Sequence, residues 1–203
     1  MDARSVAGTR LPDASPLPFL FPMPFTFSHP ALVLPLTRLP KKWVSATGLV
    51  AGSVAPDFEK FLKMNDGNTY SHTLPGIFWF DLPLAVLLCF VFHQVVRDPL
   101  IDNLPAFLRA RCGPARSLDW VAHARKHYPA VFFSLLLGIV SHLVWDHFTH
   151  RPAHVVPITA EGVSLSPYEA LKLYYWPDLL SSVGGIVFVL YFTLKLPANK
   201  FFF

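Results

Sequence analysis

PAVFFSLLLGIVSHLVWDHFT, residues 129–149, is the stretch that decides the fold. About 20 predominantly apolar residues cross the hydrocarbon core of a bilayer as a helix, and this run has that length. Its first part, 129–140, carries one polar side chain, Ser134. Its second part carries His142, Asp146 and His147, and His150 follows at once. Ionisable groups inside a span are costly and by default mark function. His142, Asp146 and His150 recur every fourth residue, along one face of a helix. His147 lies about 100° from Asp146 around an ideal helix and reads as interfacial.

Working outward, two more runs have spanning length: GIFWFDLPLAVLLCFVFHQVV (76–96) and PDLLSSVGGIVFVLYFTLKL (177–196). Two shorter helices are expected at about 29–39 (HPALVLPLTRL) and 43–56 (WVSATGLVAGSVAP). In the second, Gly48 and Gly52 stand at GxxxG spacing, which lets helix backbones approach closely. The chain of 203 residues is 53% hydrophobic and only 15% charged, where soluble domains carry about 25% charged residues. The fold class expected is all-α: an integral membrane helical bundle with three spans and one or two shorter helices. Residues 1–22 are Pro-rich, lack a signal-peptide pattern, and read as a disordered or non-native extension. Residues 23–203 read as one helical membrane domain, with Met1 or Met23 as the true start. Two cysteines, Cys89 and Cys112, form no disulfide framework or zinc pattern.

Charge sets the topology. The loop 97–128 holds Arg97, Arg109, Arg111, Arg116, Arg125 and Lys126, whereas 150–175 holds only Arg151 and Lys172. The positive-inside rule places 97–128 and the basic turn at 38–42 in the cytoplasm. Asp57, His72, His142, Asp146 and His150 then gather at the outer membrane boundary, together with His29 and Asp178. Imidazoles and carboxylates at one depth are the donor set of a divalent metal, zinc or manganese with iron also open. A divalent metal lowers the pKa of water to about 7 and turns it into a hydrolytic nucleophile. The metal ligands expected are His72, His142, Asp146 and Asp57, with His29 and His150 as further ligands or orienting groups. Asp57 and Glu59 are the candidate catalytic carboxylates, Glu59 as a general base.

Other polar residues are read more plainly. Asp81 either bonds backbone groups freed by Pro83 or accepts from a ligand histidine. His93 reads as interfacial, His123 and His127 as solvated, and YYW (174–176) as an interfacial belt. No P-loop, dinucleotide glycine pattern, GxSxG elbow or nucleic-acid module is present. The expected partners are the bilayer and a lipid or other amphipathic substrate, not nucleic acid. Two rival readings use the same residues differently. A transporter or proton relay needs polar residues continuing through 129–140. A membrane assembly protein relies on Gly48, Gly52 and the basic loop.

Four motifs carry a resemblance: MPFTFSHPALVLPL (23–36), GSVAPDFEKFL (52–62), SHTLPGIFWFDLPL (71–84) and SHLVWDHFTH (141–150). As a set they resemble a bacterial membrane-protein family, domain of unknown function 4184, over most of residues 23 to 196. The layout is also similar to that of membrane-bound metal-dependent hydrolases, with a P-D motif after a small-residue helix, an H-T motif and an H-x-x-x-D helix. That likeness implies Asp57, His72, His142 and Asp146 as metal-site residues, followed by His29 and His150. Where those hydrolases often read P-D-x-D-H, this chain reads PDFEK. The resemblance implies a multi-pass protein of the bacterial cytoplasmic (inner) membrane.

Overall fold

The computed structural model describes residues 25–40, 42–64, 69–149 and 167–198. These residues form helices and turns, with no strand among them. The helices are α1 (Pro30–Val33), α2 (Ala46–Val54), α3 (Phe58–Lys63), α4 (Leu74–Asp102), α5 (Ala106–Cys112), α6 (Trp120–Lys126), α7 (Tyr128–Thr149) and α8 (Pro167–Leu194). Prolines punctuate the shorter ones. The expected helix at 29–39 divides into α1 and a tight turn at Leu34–Arg38, with Pro35 in the turn's first residues. The expected helix at 43–56 is α2 followed by a tight turn, Ala55–Asp57, that begins around Pro56.

The centre of the molecule is the crossing of α2 on α7. The Ser45 hydroxyl caps α2 by accepting from Gly48 N (3.2 Å). Ser45 N in turn donates to Ser134 Oγ of α7 (2.9 Å), which ties the helix start to its neighbour. Backbones meet along the crossing. A methyl on Gly52 would sit 2.3 Å from Leu135 O, and one on Gly138 would sit 2.4 Å from Leu49 O. Both small-residue positions are therefore required by close approach, as GxxxG packing demands. Leu49, Ala51, Ala55, Ile77, Ala85, Cys89, Val131, Leu135 and Ile139 fill the core around this crossing.

Two helices are long and apolar enough to cross a membrane: α4, with 29 residues, and α7, with 22. The third span expected, at 177–196, is not among these two; within α8 the apolar helix found among the described residues is Leu179–Leu194. Outward faces are apolar on all three helices, as at Leu87 and Val95 of α4, Phe133 and Phe148 of α7, and Val187 and Leu190 of α8. Helix α4 contains two wider, π-type turns, Ile77–Asp81 and Phe92–Val96. Such turns are rare and often mark functional positions. Here they carry the buried Asp81 and His93.

The basic loop 97–128 is folded. Arg97 Nη1 donates to Leu118 O (2.8 Å) and Ala115 O (3.3 Å), and Arg111 Nε donates to Leu194 O (2.8 Å). His93 is buried, not interfacial as its position suggested. Its ring stacks on Trp120 at 4.8 Å with an interplanar angle of 4°. The His123 ring also stacks on Trp120, at 5.8 Å with an interplanar angle of 26°.

Candidate metal centre

Five polar residues from four segments converge where the N-terminal end of α4 meets the C-terminal half of α7. Asp57 is placed by the turn that ends α2. His142 and Asp146 lie one helical turn apart on α7. His72 comes from the segment just before α4, and His29 from the residue just before α1. His29, Asp57, His142 and Asp146 are buried, and His72 is partly so.

Asp146 is the hub. Its Oδ2 lies 3.0 Å from His72 Nε2 and 3.2 Å from His142 Nε2, and its Oδ1 lies 3.6 Å from His29 Nε2. Asp57 closes the other side, with Oδ2 3.7 Å from His29 Nε2 and Oδ1 3.8 Å from His142 Nε2. The His29 and His142 rings lie 4.0 Å apart between centroids. One ligating atom from each of Asp57, His72, His142 and Asp146 falls within 4.8 Å of all the others. Two ligands on opposite sides of an ion with bonds of about 2.1 Å stand ~4.2 Å apart. A small inward shift would therefore bring the four onto one ion.

The orientation of His142 is fixed from behind. Its Nδ1 lies 2.8 Å from Ser53 O. A carbonyl can only accept, so Nδ1 carries a proton and Nε2 is the nitrogen turned to the carboxylates. Nε2 makes no well-aligned hydrogen bond of its own. A histidine whose rear nitrogen donates to a backbone carbonyl is the usual arrangement behind a metal-ligating imidazole.

His72 is held differently. Its φ of 61° lies in the left-handed region, at a cost of order 1–3 kcal/mol for a non-glycine residue. Glu59 stabilises the segment that imposes it. The Glu59 carboxylate accepts from Thr69 N (2.8 Å), Tyr70 N (3.1 Å) and Ser71 N (2.7 Å), and pairs with Lys63. Burial alone would raise the pKa of Glu59, but the Lys63 ammonium, Ser71 and these amides outweigh it and hold it at about 2. Both oxygens are thus engaged away from the cluster. The structure gives Glu59 the position of a residue that sets the His72 segment, not the open placement a general base needs.

Three further placements complete the site. Lys60 Nζ sits 2.8 Å from Asp57 Oδ1 and adds a positive charge at the rim. Sequence reasoning missed it, although its spacing of three from Asp57 on a helix is a readable signal. Asp81 is fully buried, and neither of its oxygens has a hydrogen-bond partner among the described residues. It thus makes neither of the two bonds expected of it. His150 lies outside the described residues, and so does the side chain of Asp178.

An all-helical protein with a buried histidine–aspartate cluster at one end of two span-length helices is the class that fold and site define. The particular family follows from the sequence: a family model described as Domain of unknown function (DUF4184) matches residues 23–202, and the chain belongs to that family. No curated protein and no solved structure matches the chain.

Proposed function

We propose that this chain is a membrane-bound, divalent-metal-dependent hydrolase acting on an ester or phosphoester of an amphipathic substrate. The observation that carries the reading is the convergence of ligating atoms from Asp57, His72, His142 and Asp146, with His142 Nε2 aimed into the cluster by Ser53 O. Asp57, His72, His142 and Asp146 would hold a zinc or manganese ion, and His29 would orient both carboxylates from the buried side. Such an ion would supply a water of lowered pKa, about 7, and a Lewis acid for the scissile group. Hydrolysis adds water across the ester bond and releases an acid and an alcohol. Lys60 supplies a cation beside Asp57, which favours a phosphoester, since lysine is a common phosphate-binding point charge.

The membrane setting is supported by the length and apolarity of α4 and α7 and by the apolar side chains they turn outward. The cluster lies at the ends of both helices opposite the basic loop 97–128. The positive-inside rule assigns that loop to the cytoplasm of a bacterial inner-membrane protein and the cluster to the outer boundary. A relay or transport path finds little support, because the α7 half away from the cluster offers Ser134, already engaged by Ser45 N.

The test is hydrolysis of a panel of lipid-like esters and phosphoesters by the detergent-purified protein. Turnover is expected to vanish with a chelator, return with added zinc or manganese, and be absent in Asp146→Ala. Turnover indifferent to chelator and to Asp146→Ala would defeat the proposal.

A further inference from the structure

We propose that a groove between α1, α7 and α8 holds one hydrocarbon chain of a membrane lipid, with the lipid's polar end directed to the His/Asp cluster. The groove encloses about 550 Å³, within the ~300–1,000 Å³ usual for small-molecule sites. Its walls are Ala31 and Leu32 of α1, Trp145 of α7, and Leu180, Gly184 and Phe188 of α8. The lining is apolar almost throughout. The Trp145 indole N–H, which would favour a polar ligand, is already donated to Ser181 Oγ at 2.7 Å.

Three observations select this occupant. The first is room. A methyl built on Gly184 meets no heavy atom within 4 Å, whereas one on the adjacent Gly185 would come within 2.6 Å of Ser28 Cβ. Gly185 is small because α8 packs there, and Gly184 is small where the groove is open. The second is position. Ser28 immediately precedes His29 and Trp145 immediately precedes Asp146, so the groove begins beside two members of the cluster. The third is an unmet polar group. Ser28 is 3% exposed, and its Oγ has no hydrogen-bond partner among the described residues. A buried hydroxyl without a partner is costly, and its residue lines the groove immediately before His29, so a small turn of the side chain would let a lipid's ester or headgroup oxygen accept from it. An apolar tube leading to one orphan hydroxyl and a polar cluster fits an amphiphile lying tail-inward. A second apolar cavity, between α4, α6 and α7, lies at the opposite end of the helices, away from the cluster.

The assignment of the polar end rests on the hydrolase reading; the chain-binding groove does not. The probe is a phosphatidylglycerol bearing a diazirine near the end of one acyl chain, photolysed with the full-length protein in detergent. Labelling is expected to saturate at one per chain, to be competed by excess unlabelled phosphatidylglycerol, and to map to residues 28–32 and 180–188. Gly184→Leu fills the open space and is expected to lower the competed labelling about tenfold or more, with metal content unchanged. Competed labelling that maps to this groove in the wild type sustains the inference even if Gly184→Leu fails to fold. Labelling that does not saturate and spreads over Phe132, Phe133 and Phe148, or that survives in a folded Gly184→Leu, overturns it. Loss of labelling in Gly184→Leu in a protein that binds no metal would keep the groove and remove the hydrolase.

Discussion

Both ends of the helical bundle bury a histidine, and the two are built to opposite purposes. His142 and His93 are each inward-facing on a span-length helix. His93 has both ring nitrogens engaged, Nδ1 accepting from Arg97 Nη1 at 3.4 Å and Nε2 donating to Thr47 Oγ1 at 3.0 Å, and its face is covered by Trp120. His142 has one nitrogen committed to Ser53 O and the other turned to Asp57 and Asp146, with two more imidazoles nearby. The same side chain is a packing element at one end and, in the function we propose, a metal ligand at the other. Burial does not separate them; what each nitrogen faces does.

The sharpest way to break the contrast is to exchange charge for shape at each end. Asp146→Asn keeps the volume and removes the carboxylate that three imidazoles face. Its metal affinity, read by competition with a chromophoric chelator, is expected to fall by more than about 100-fold, since even outer partners of a ligand are worth 10–100-fold. His93→Phe should leave metal affinity within about twofold and change thermal stability only slightly, because a stacked aromatic pair is worth ~0.5–1.5 kcal/mol. Equal metal loss in both variants would erase the distinction between the ends.

Backbone packing sharpens it next. Gly52 and Gly48 share one face of α2, but a methyl on Gly52 strikes Leu135 O at 2.3 Å, while one on Gly48 meets Ser134 Cβ at 3.0 Å. Overpacking typically costs ~1–3 kcal/mol. Gly52→Ala is therefore expected near the top of that range or beyond it, and Gly48→Ala near the bottom, by denaturant titration in detergent. Because Gly52 lies next to Ser53, Gly52→Ala should also weaken metal binding, and Gly48→Ala should not.

A smaller effect tests the rear support of His72. Glu59→Gln keeps an acceptor but loses the charge that gathers three amides and Lys63. Metal affinity is expected to drop about tenfold. The folded carboxyl titrates near 2 and the unfolded one near 4.5. Its contribution to stability is therefore complete above about 4.5 and is lost as the pH falls from there toward 2. A wild-type acid limb that Glu59→Gln flattens across that window is the expected outcome. An unchanged limb would mean that the amide cradle does little to hold the fold.

What could be read in the sequence was whatever leaves a side-chain signature. Residues His142 and Asp146 announce themselves by four-residue spacing inside an apolar run, and Gly48 and Gly52 by theirs. Asp57, His72 and His29 could be matched by depth once charge had oriented the helices, and the structure does bring all five together. The cradle around Glu59 was not legible because its partners are backbone amides of 69–71, which no residue type signals. Ser53 was invisible for the same reason, since it acts through its carbonyl. The arginines of the basic loop were read only as charges that set topology, yet Arg97 and Arg111 also donate to backbone carbonyls.

The measurement that bears most directly on the central claim is metal content. Wild-type protein and a His142→Ala/Asp146→Ala variant would be purified in detergent, offered zinc and manganese in turn, desalted, and analysed by elemental mass spectrometry. Circular dichroism and elution volume would be recorded for both. The account expects close to one ion per wild-type chain and none in a variant that keeps its helical signal. Trace metal in the wild type after loading, or equal metal in the two proteins, would contradict it and leave the cluster a network of paired histidines and carboxylates.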